Sequence, residues 1–421
     1  MTQPNRLLTV AAVYLSGLLV GISLILFPSA GPLLTDPDFH NLSSAQFGTL
    51  FTPQVITAIL SSLLTAAIAN RFGMKRVMQI GLGFVLLAMG LLAASQLVLS
   101  SAYGILLAAT AAMGAGFGFT ISALNAYAFD LFPGNEDSAV TAIHVMTGTG
   151  QVGAALLLSF FLGVGSWWGA PLTIAAAVVL MTVVQLTLPL KLSAEELPAA
   201  PSETRGGGLP LRVWLFAVVT FAYGAIEGTF GNWAPLYLAD AALLSPADAA
   251  LGLALFWGSV PAGRVLFAAA ATRIYTRPLF VVTPFAVGIV FVVLPLLTGR
   301  IPHFTALIAA GLALSFFFPY SVSLASAEFP LMTAAVSGSL VAGLQFGAGL
   351  SANVIGLASE SVGLSTVFQL SAGWAVLMAV LAVYLTVTAR KTDKTSESGL
   401  HTDLPCQPVP CPQTVIRREV P

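Results

Sequence analysis

Twelve apolar runs, each long enough to cross a bilayer, leave this chain few folds to choose from. They lie roughly at 8–32, 44–69, 77–99, 102–129, 139–164, 167–189, 212–238, 248–271, 279–299, 303–326, 333–358 and 364–388, and about 20 apolar residues suffice to cross the hydrocarbon core. Within lipid no water bonds to the backbone, so each run has to be a helix, and no alternating strand pattern offers a barrel instead. Only 8% of the residues are charged, against about 25% in soluble domains. The expectation is an all-α integral membrane protein of twelve transmembrane helices. Met1 to Arg6 carries one charge and the run behind it is long enough to stay as the first span, so no cleaved leader is expected.

Basic residues orient the spans, because Lys and Arg are retained on the cytoplasmic side. The two ends and the even-numbered loops hold 14 of the 16, leaving Arg300 on the other face and Arg264 within a span. Both termini are thus expected in the cytoplasm and the chain in the cell (inner) membrane. The stretch 191–210, with Glu195, Glu196, Pro198, Pro201 and Gly206 to Gly208, breaks the hydrophobic pattern. It divides the chain into a first six-helix half, 1–190, a cytoplasmic linker, 191–210, and a second half, 211–389. The polar, Pro-rich stretch 390–421 is expected to be a disordered cytoplasmic tail. Its Cys406 and Cys411 have neither zinc-site nor redox spacing, and no metal or cofactor is expected. A net charge of −1 offers nothing to nucleic acid. With no phosphate-cradling Gly-x-x-x-x-Gly-Lys and with Ser, His and Asp in separate loops, no enzyme chemistry is expected either.

The two halves echo each other. Asn70, Arg71 and Lys75 in the turn after span 2 are answered 202 positions later by Thr272, Arg273 and Arg277. Leu42-Ser43-x-Ala45 is answered by Leu244-Ser245-x-Ala247, Asp130 before Phe-Pro by Glu328, and Gln151 by Gln345. Two similar halves rocking around a midplane site are a common design of secondary transporters. The turn Asn70-Arg71-Phe72-Gly73-Met74-Lys75-Arg76 resembles the signature of the major facilitator superfamily, with Ala66, Asn70 and Met74 departing from it. That resemblance implies two pseudo-symmetric six-helix halves, a small-molecule substrate and alternating access. Span 7, from Tyr223-Gly224-Ala225-Ile226-Glu227 through Asn232-Trp233-Ala234-Pro235-Leu236-Tyr237, with Trp257-Gly258 and Gly263-Arg264 in span 8, resembles the fucose/proton symporter-like sugar branch. The acids which that branch carries in spans 1 and 4 are absent here; the corresponding stretch of span 4 reads Thr120 to Asn125.

Glu227 is the leading residue for chemistry. A charged, unpaired carboxylate at mid-span costs about 3 kcal/mol or more, so it faces a cavity, finds a partner or takes up a proton. It is expected to couple transport to protons, the alternative being a structural acid bonded to its neighbours. Tyr223, one turn earlier, shares its face. Gly224, Gly228, Gly231 and Pro235 are expected to let the outer half of span 7 bend. Asn232, Trp233 and Tyr237 are expected to contact substrate, interfacial anchoring being the other reading of the two aromatics. Arg264 either contacts substrate or bonds structurally to neighbouring carbonyls. At 1.5 Å per residue it lies about 10 Å nearer the cytoplasm than Glu227, too far for an easy direct pair. Asn125, Gln151, Tyr320 and Gln345 complete the expected substrate contacts, while His144 is expected merely to be hydrated. Asn70, Arg71, Gly73, Lys75, Arg76, Asp130, Arg273, Arg277 and Glu328 are expected to form a gate, the acids pairing with the basic loops in one state only; surface acids at helix ends are the plainer reading.

The function expected is proton-coupled secondary transport of a small polar solute by a monomer in the bilayer. A proton-driven exporter of hydrophobic compounds and a non-transporting membrane sensor stay open beside it.

Overall fold

The chain reverses wherever an apolar run ends, and at the basic turn it does so on a single residue. Gly73 ends span 2 and begins span 3 with φ 82° and ψ 155°, a region open to glycine and closed to residues with a Cβ. Gly363 has φ 80° and joins spans 11 and 12 in the same way. The computed structural model describes residues 3–132, 136–188, 190, 209–271, 277–329 and 332–388. The expectations for Arg273, for most of the linker and for the tail lie outside the described residues.

Among these residues there is no strand, and twelve helices are long and apolar enough to cross a membrane. They run Arg6–Thr35, Ser44–Phe72, Met74–Ala94, Leu99–Leu131, Ala139–Gly163, Gly169–Thr187, Leu211–Asp240, Pro246–Phe267, Arg277–Leu296, Arg300–Glu328, Ala335–Val362 and Leu364–Val387. Several are compound. Span 2 is entered through a short helix, Ser44–Thr49, where Ser43 and Gln46 form a reciprocal capping box.

The sequence echo becomes an echo of packing. Span 1 lies along span 5 as span 7 lies along span 11; spans 2 and 4 answer 8 and 10, and spans 3 and 6 answer 9 and 12. Small residues allow these approaches. A Cβ at Gly21 or Gly150 would strike the backbone of the facing helix, and so would one at Gly224 or Gly347 in the second half.

The basic turns repeat their contacts too. Lys75 Nζ donates to Leu188 O at 2.8 Å, beyond the end of span 6, and Arg277 Nη2 donates to Thr386 O at 2.9 Å, at the end of span 12. Arg6 Nη2 reaches Leu131 O at 3.0 Å and Arg212 Nη2 reaches Leu385 O at 2.8 Å. Each cation bonds to a carbonyl at or just beyond a helix end and lies at the negative pole of that helix.

Gly224→Val is expected to push span 11 off span 7 and to cost about 1–3 kcal/mol of stability, read as a lowered unfolding midpoint in detergent. Gly83→Val, at an exposed position with no atom within 4 Å of the new Cβ, is the control and is expected to change that midpoint little.

Candidate functional site

A proline in span 10 sets the geometry of the site. Pro319 lacks the N–H that would bond to the carbonyl four residues back, Ser315, and the span is interrupted there: one helix is Arg300–Leu314, the next Phe317–Glu328. Arg264 Nε of span 8 takes up that carbonyl at 3.0 Å. Just past the interruption, Phe317 and Phe318 bring their rings to 6.1 and 5.8 Å from that of Tyr223, a buried residue of span 7. Its hydroxyl donates to Glu227 Oε1 at 2.8 Å. Arg264 interacts electrostatically with both Tyr223 and Glu227, although among the described residues it makes no direct ion pair.

Span 7 is one continuous helix, Leu211–Asp240, with Pro235 inside it, whereas span 10 is interrupted. The glycines serve close packing: a side chain at Gly224 or Gly228 would meet span 11, and one at Gly231 would meet the ring of Trp257.

Glu227 and Arg264 both line a cavity of about 260 Å³ between the halves. Gln151 and Gln345, the repeat-related pair, line it from spans 5 and 11, and Asn232 lines it from span 7. Gln54, Trp257, His144 and Thr147 complete its polar wall. His144 is the residue that sequence reasoning set aside. Its spacing of seven from Gln151 puts the two on one face of a helix, a signal outweighed by its nearness to the helix end.

Other expected contacts lie elsewhere. Trp233 is buried edge-on against Phe47, with centroids 5.1 Å apart; Tyr237 donates to Leu294 O at 3.2 Å and packs on Phe368. Tyr320 packs among Phe267, Phe280 and Phe316. The side-chain oxygen of Asn125 is buried, away from the cavity lining and without a hydrogen bond. Tyr223 reaches the cavity through Glu227.

The halves close on each other at the end remote from the basic turn. Ala45 N–H donates to Glu360 Oε1 at 3.0 Å. Thr52 and Asn353 bond side chain to side chain, 3.1 Å from hydroxyl to carbonyl and 2.8 Å from amide nitrogen to hydroxyl. Ser159 Oγ reaches Ala247 O at 3.4 Å. At the basic end several contacts among the described residues lie within a half. Glu328 pairs with Arg212, Asp130 acts electrostatically on Tyr127, Arg76 donates to Gln79 and Arg71 lies 5.1 Å from the centre of the Phe72 ring. Asn70 is exposed. The described hydrogen bonds between the halves thus lie at the end away from the basic turn, and Glu328 and Asp130 each act on a residue of their own half.

Comparison with known proteins adds a family and a set of related folds. The family model described as Major Facilitator Superfamily matches residues 13–241. No curated protein matches the chain in sequence. Among solved structures, a bacterial homologue of the human lysosomal transporter Spinster, described as inward-facing and unoccupied, is 14% identical with a TM-score of 0.75, over 92% of this chain and 98% of that one. A D-xylose-proton symporter is 17% identical with a TM-score of 0.69, over 90% and 97%. The nucleoside transporter NupG is 18% identical with a TM-score of 0.69, over 93% and 100%. At such identities the likeness is one of fold.

Removing the Thr52–Asn353 contact should loosen the closed end. With about 1 kcal/mol per lost hydrogen bond, Thr52→Val with Asn353→Ala is expected to raise the population open on that side several-fold, read from distances between spin labels at the ends of spans 2 and 11. An unchanged distance distribution would remove these residues from the closure.

Proposed function

The chain belongs to the major facilitator superfamily, and from that membership we propose that this secondary transporter carries a small polar solute by alternating access, driven by protons taken up at Glu227. One observation carries the reading: a carboxylate on a membrane-spanning helix lines the central cavity, bonded to a tyrosine hydroxyl and balanced by an arginine with which it makes no direct pair. Such a group is within reach of solvent through the open side and is cheap to neutralise by protonation, since its charge is the costly state in lipid.

On this reading Tyr223 and Arg264 stabilise ionised Glu227. Protonation removes the charge that holds Arg264 toward span 7 and leaves it to the carbonyl of Ser315, so spans 7, 8 and 10 change their mutual fit. The basic face is cytoplasmic by the distribution of Lys and Arg, which makes the described state inward-open with both termini inside. The chain works as a monomer in the cell (inner) membrane, each copy holding its own cavity. Two related folds are described as a D-xylose-proton symporter and a nucleoside transporter, so sugar-bearing solutes and a proton gradient are the first to be tried.

Phe51 and Phe117 in the cavity wall favour a second reading, proton-driven export of hydrophobic compounds. A volume of about 260 Å³, short of the ~300 Å³ at which pockets for drug-sized ligands begin, weighs against it.

In proteoliposomes Glu227→Gln is expected to lose uphill accumulation driven by a pH gradient, by at least about tenfold, while keeping exchange of labelled for unlabelled solute. That is the behaviour of a carrier stripped of its coupling group but still able to alternate. Undiminished accumulation by this variant would overturn the role of Glu227.

A further inference from the structure

We infer that the cavity selects an electrically neutral solute bearing several hydroxyl groups, a pentose or hexose unit either free or joined to a base, and that it excludes the charged derivatives of the same skeleton. The inference rests on the transport reading and adds to it the class of cargo and the residues that recognise it.

The two fixed charges of the wall are of opposite sign and offset each other. Glu227 holds the hydroxyl of Tyr223, Arg264 Nε is on Ser315 O, and Arg264 balances Glu227 across Tyr223. The remaining titratable side chain of the lining, His144, is exposed. Arg264 and Glu227 bring opposite charges to one wall, so an anion drawn to Arg264 is repelled by Glu227 and a cation drawn to Glu227 is repelled by Arg264.

Apart from Thr147, whose hydroxyl donates to Ile143 O, the neutral polar side chains have no protein partner among the described residues. Among the described residues the side chains of Gln54, Gln151, Asn232 and Gln345 line the cavity without a hydrogen bond, and so does the indole N–H of Trp257. The Gln54 Oε1 and Trp257 Nε1 atoms are moreover buried. Buried polar atoms without a partner are costly, so atoms left in this state around a cavity describe what has to fill it.

A carboxamide offers two donors and a carbonyl oxygen, and a hydroxyl donates once and accepts twice. Four carboxamides are therefore matched by a solute that donates and accepts on several sides. A carboxylate or phosphate only accepts and would leave amide oxygens facing its negative charge; an ammonium only donates. The position of the aromatic wall is built in as well. A Cβ at Gly231 would come within 2.7 Å of Trp257 Cζ2, so the glycine beside Asn232 is what lets the indole lie against span 7. The groups come from both halves, Gln54 and Gln151 from the first, Asn232, Trp257 and Gln345 from the second.

The test uses the full chain, purified and reconstituted. Ligand stabilisation against heat and solute exchange without a proton gradient are measured for a panel of aldopentoses, aldohexoses and nucleosides. Each is paired with its charged counterpart: the sugar acid, the amino sugar or the nucleoside 5′-monophosphate. At least one neutral member is expected to bind, at least tenfold more tightly than its charged counterpart, and whether it is a free sugar or a nucleoside identifies the source of the hydroxyls. Gln151→Ala and Gln345→Ala are each expected to weaken that ligand five- to fiftyfold, with Gln345→Asn, which keeps the amide but withdraws it, falling between. Monodispersity on size exclusion excludes misfolding, and the wild-type preference needs no variant at all. Equal or tighter binding of a charged counterpart, no binding by any neutral member, or unchanged affinity in monodisperse alanine variants would overturn the inference. Binding without exchange would instead sink the transport reading and leave this assignment standing, and exchange of hydrophobic compounds with no sugar or nucleoside bound would do the reverse.

Discussion

Inside a bilayer a carbonyl without a donor costs several kcal/mol, and Ser315 would be such a carbonyl because Pro319 has no N–H to give it. Arg264 meets that need, and in doing so a long cationic side chain is held at mid-membrane where it would otherwise extend toward headgroups. The same interruption places Phe317 and Phe318 near Tyr223, and Tyr223 in turn fixes one oxygen of Glu227. A main-chain defect in span 10 thus orders the charged centre on spans 7 and 8. Without Pro319 the arginine would have no carbonyl to occupy, and its charge would fall directly on Glu227 or on whatever filled the cavity.

The basic turns show the same economy of carbonyls. Lys75 and Arg277, one to each half, attend the end regions of spans 6 and 12, and Arg6 and Arg212 attend those of spans 4 and 12. These contacts tie helices within a half, and among the described residues the hydrogen bonds between halves lie at the far end. A cation that satisfies a helix end both fixes orientation in the membrane and stiffens the unit that moves. Glu328 joins this arrangement through Arg212, a pairing that the sequence echo of Asp130 and Glu328 does not disclose because the partner comes from the start of span 7.

Twelve spans are legible in the chain because length and apolarity alone decide them, and Glu227, Arg264, Gln151 and Gln345 stand out because polar groups are scarce in such runs. What the sequence conceals is direction around the helix. Trp233 and Tyr237 look like a binding face from their nearness to Glu227, yet in a helix buried on nearly all sides every face meets protein, and these two meet Phe47 and Phe368. Glycine is equally ambiguous. Gly224, Gly228 and Gly231 read as weak points, and they are closely packed contacts, because the same missing Cβ that loosens a lone helix lets two helices touch. The signal for the real interruption was present as Pro319, and only the position of its orphaned carbonyl opposite Arg264 gives it meaning.

The division of labour between the halves bears on coupling. Glu227, Tyr223, Arg264 and Ser315 all belong to the second half, whereas the uncharged groups of the cavity come from both. On the proposed reading a proton bound at Glu227 acts first on its neighbours in the second half, and reaches the first half through the field between Arg264 and His144. A solute that touches Gln54 and Gln151 on one side and Asn232 and Gln345 on the other does span the gap, and a ligand shifts an equilibrium only by its difference in affinity for the two states. On the proposed reading the solute supplies the force that closes the open face and the proton sets the shape of the surface it closes against. Neither suffices alone, which is the condition for moving one only in company with the other.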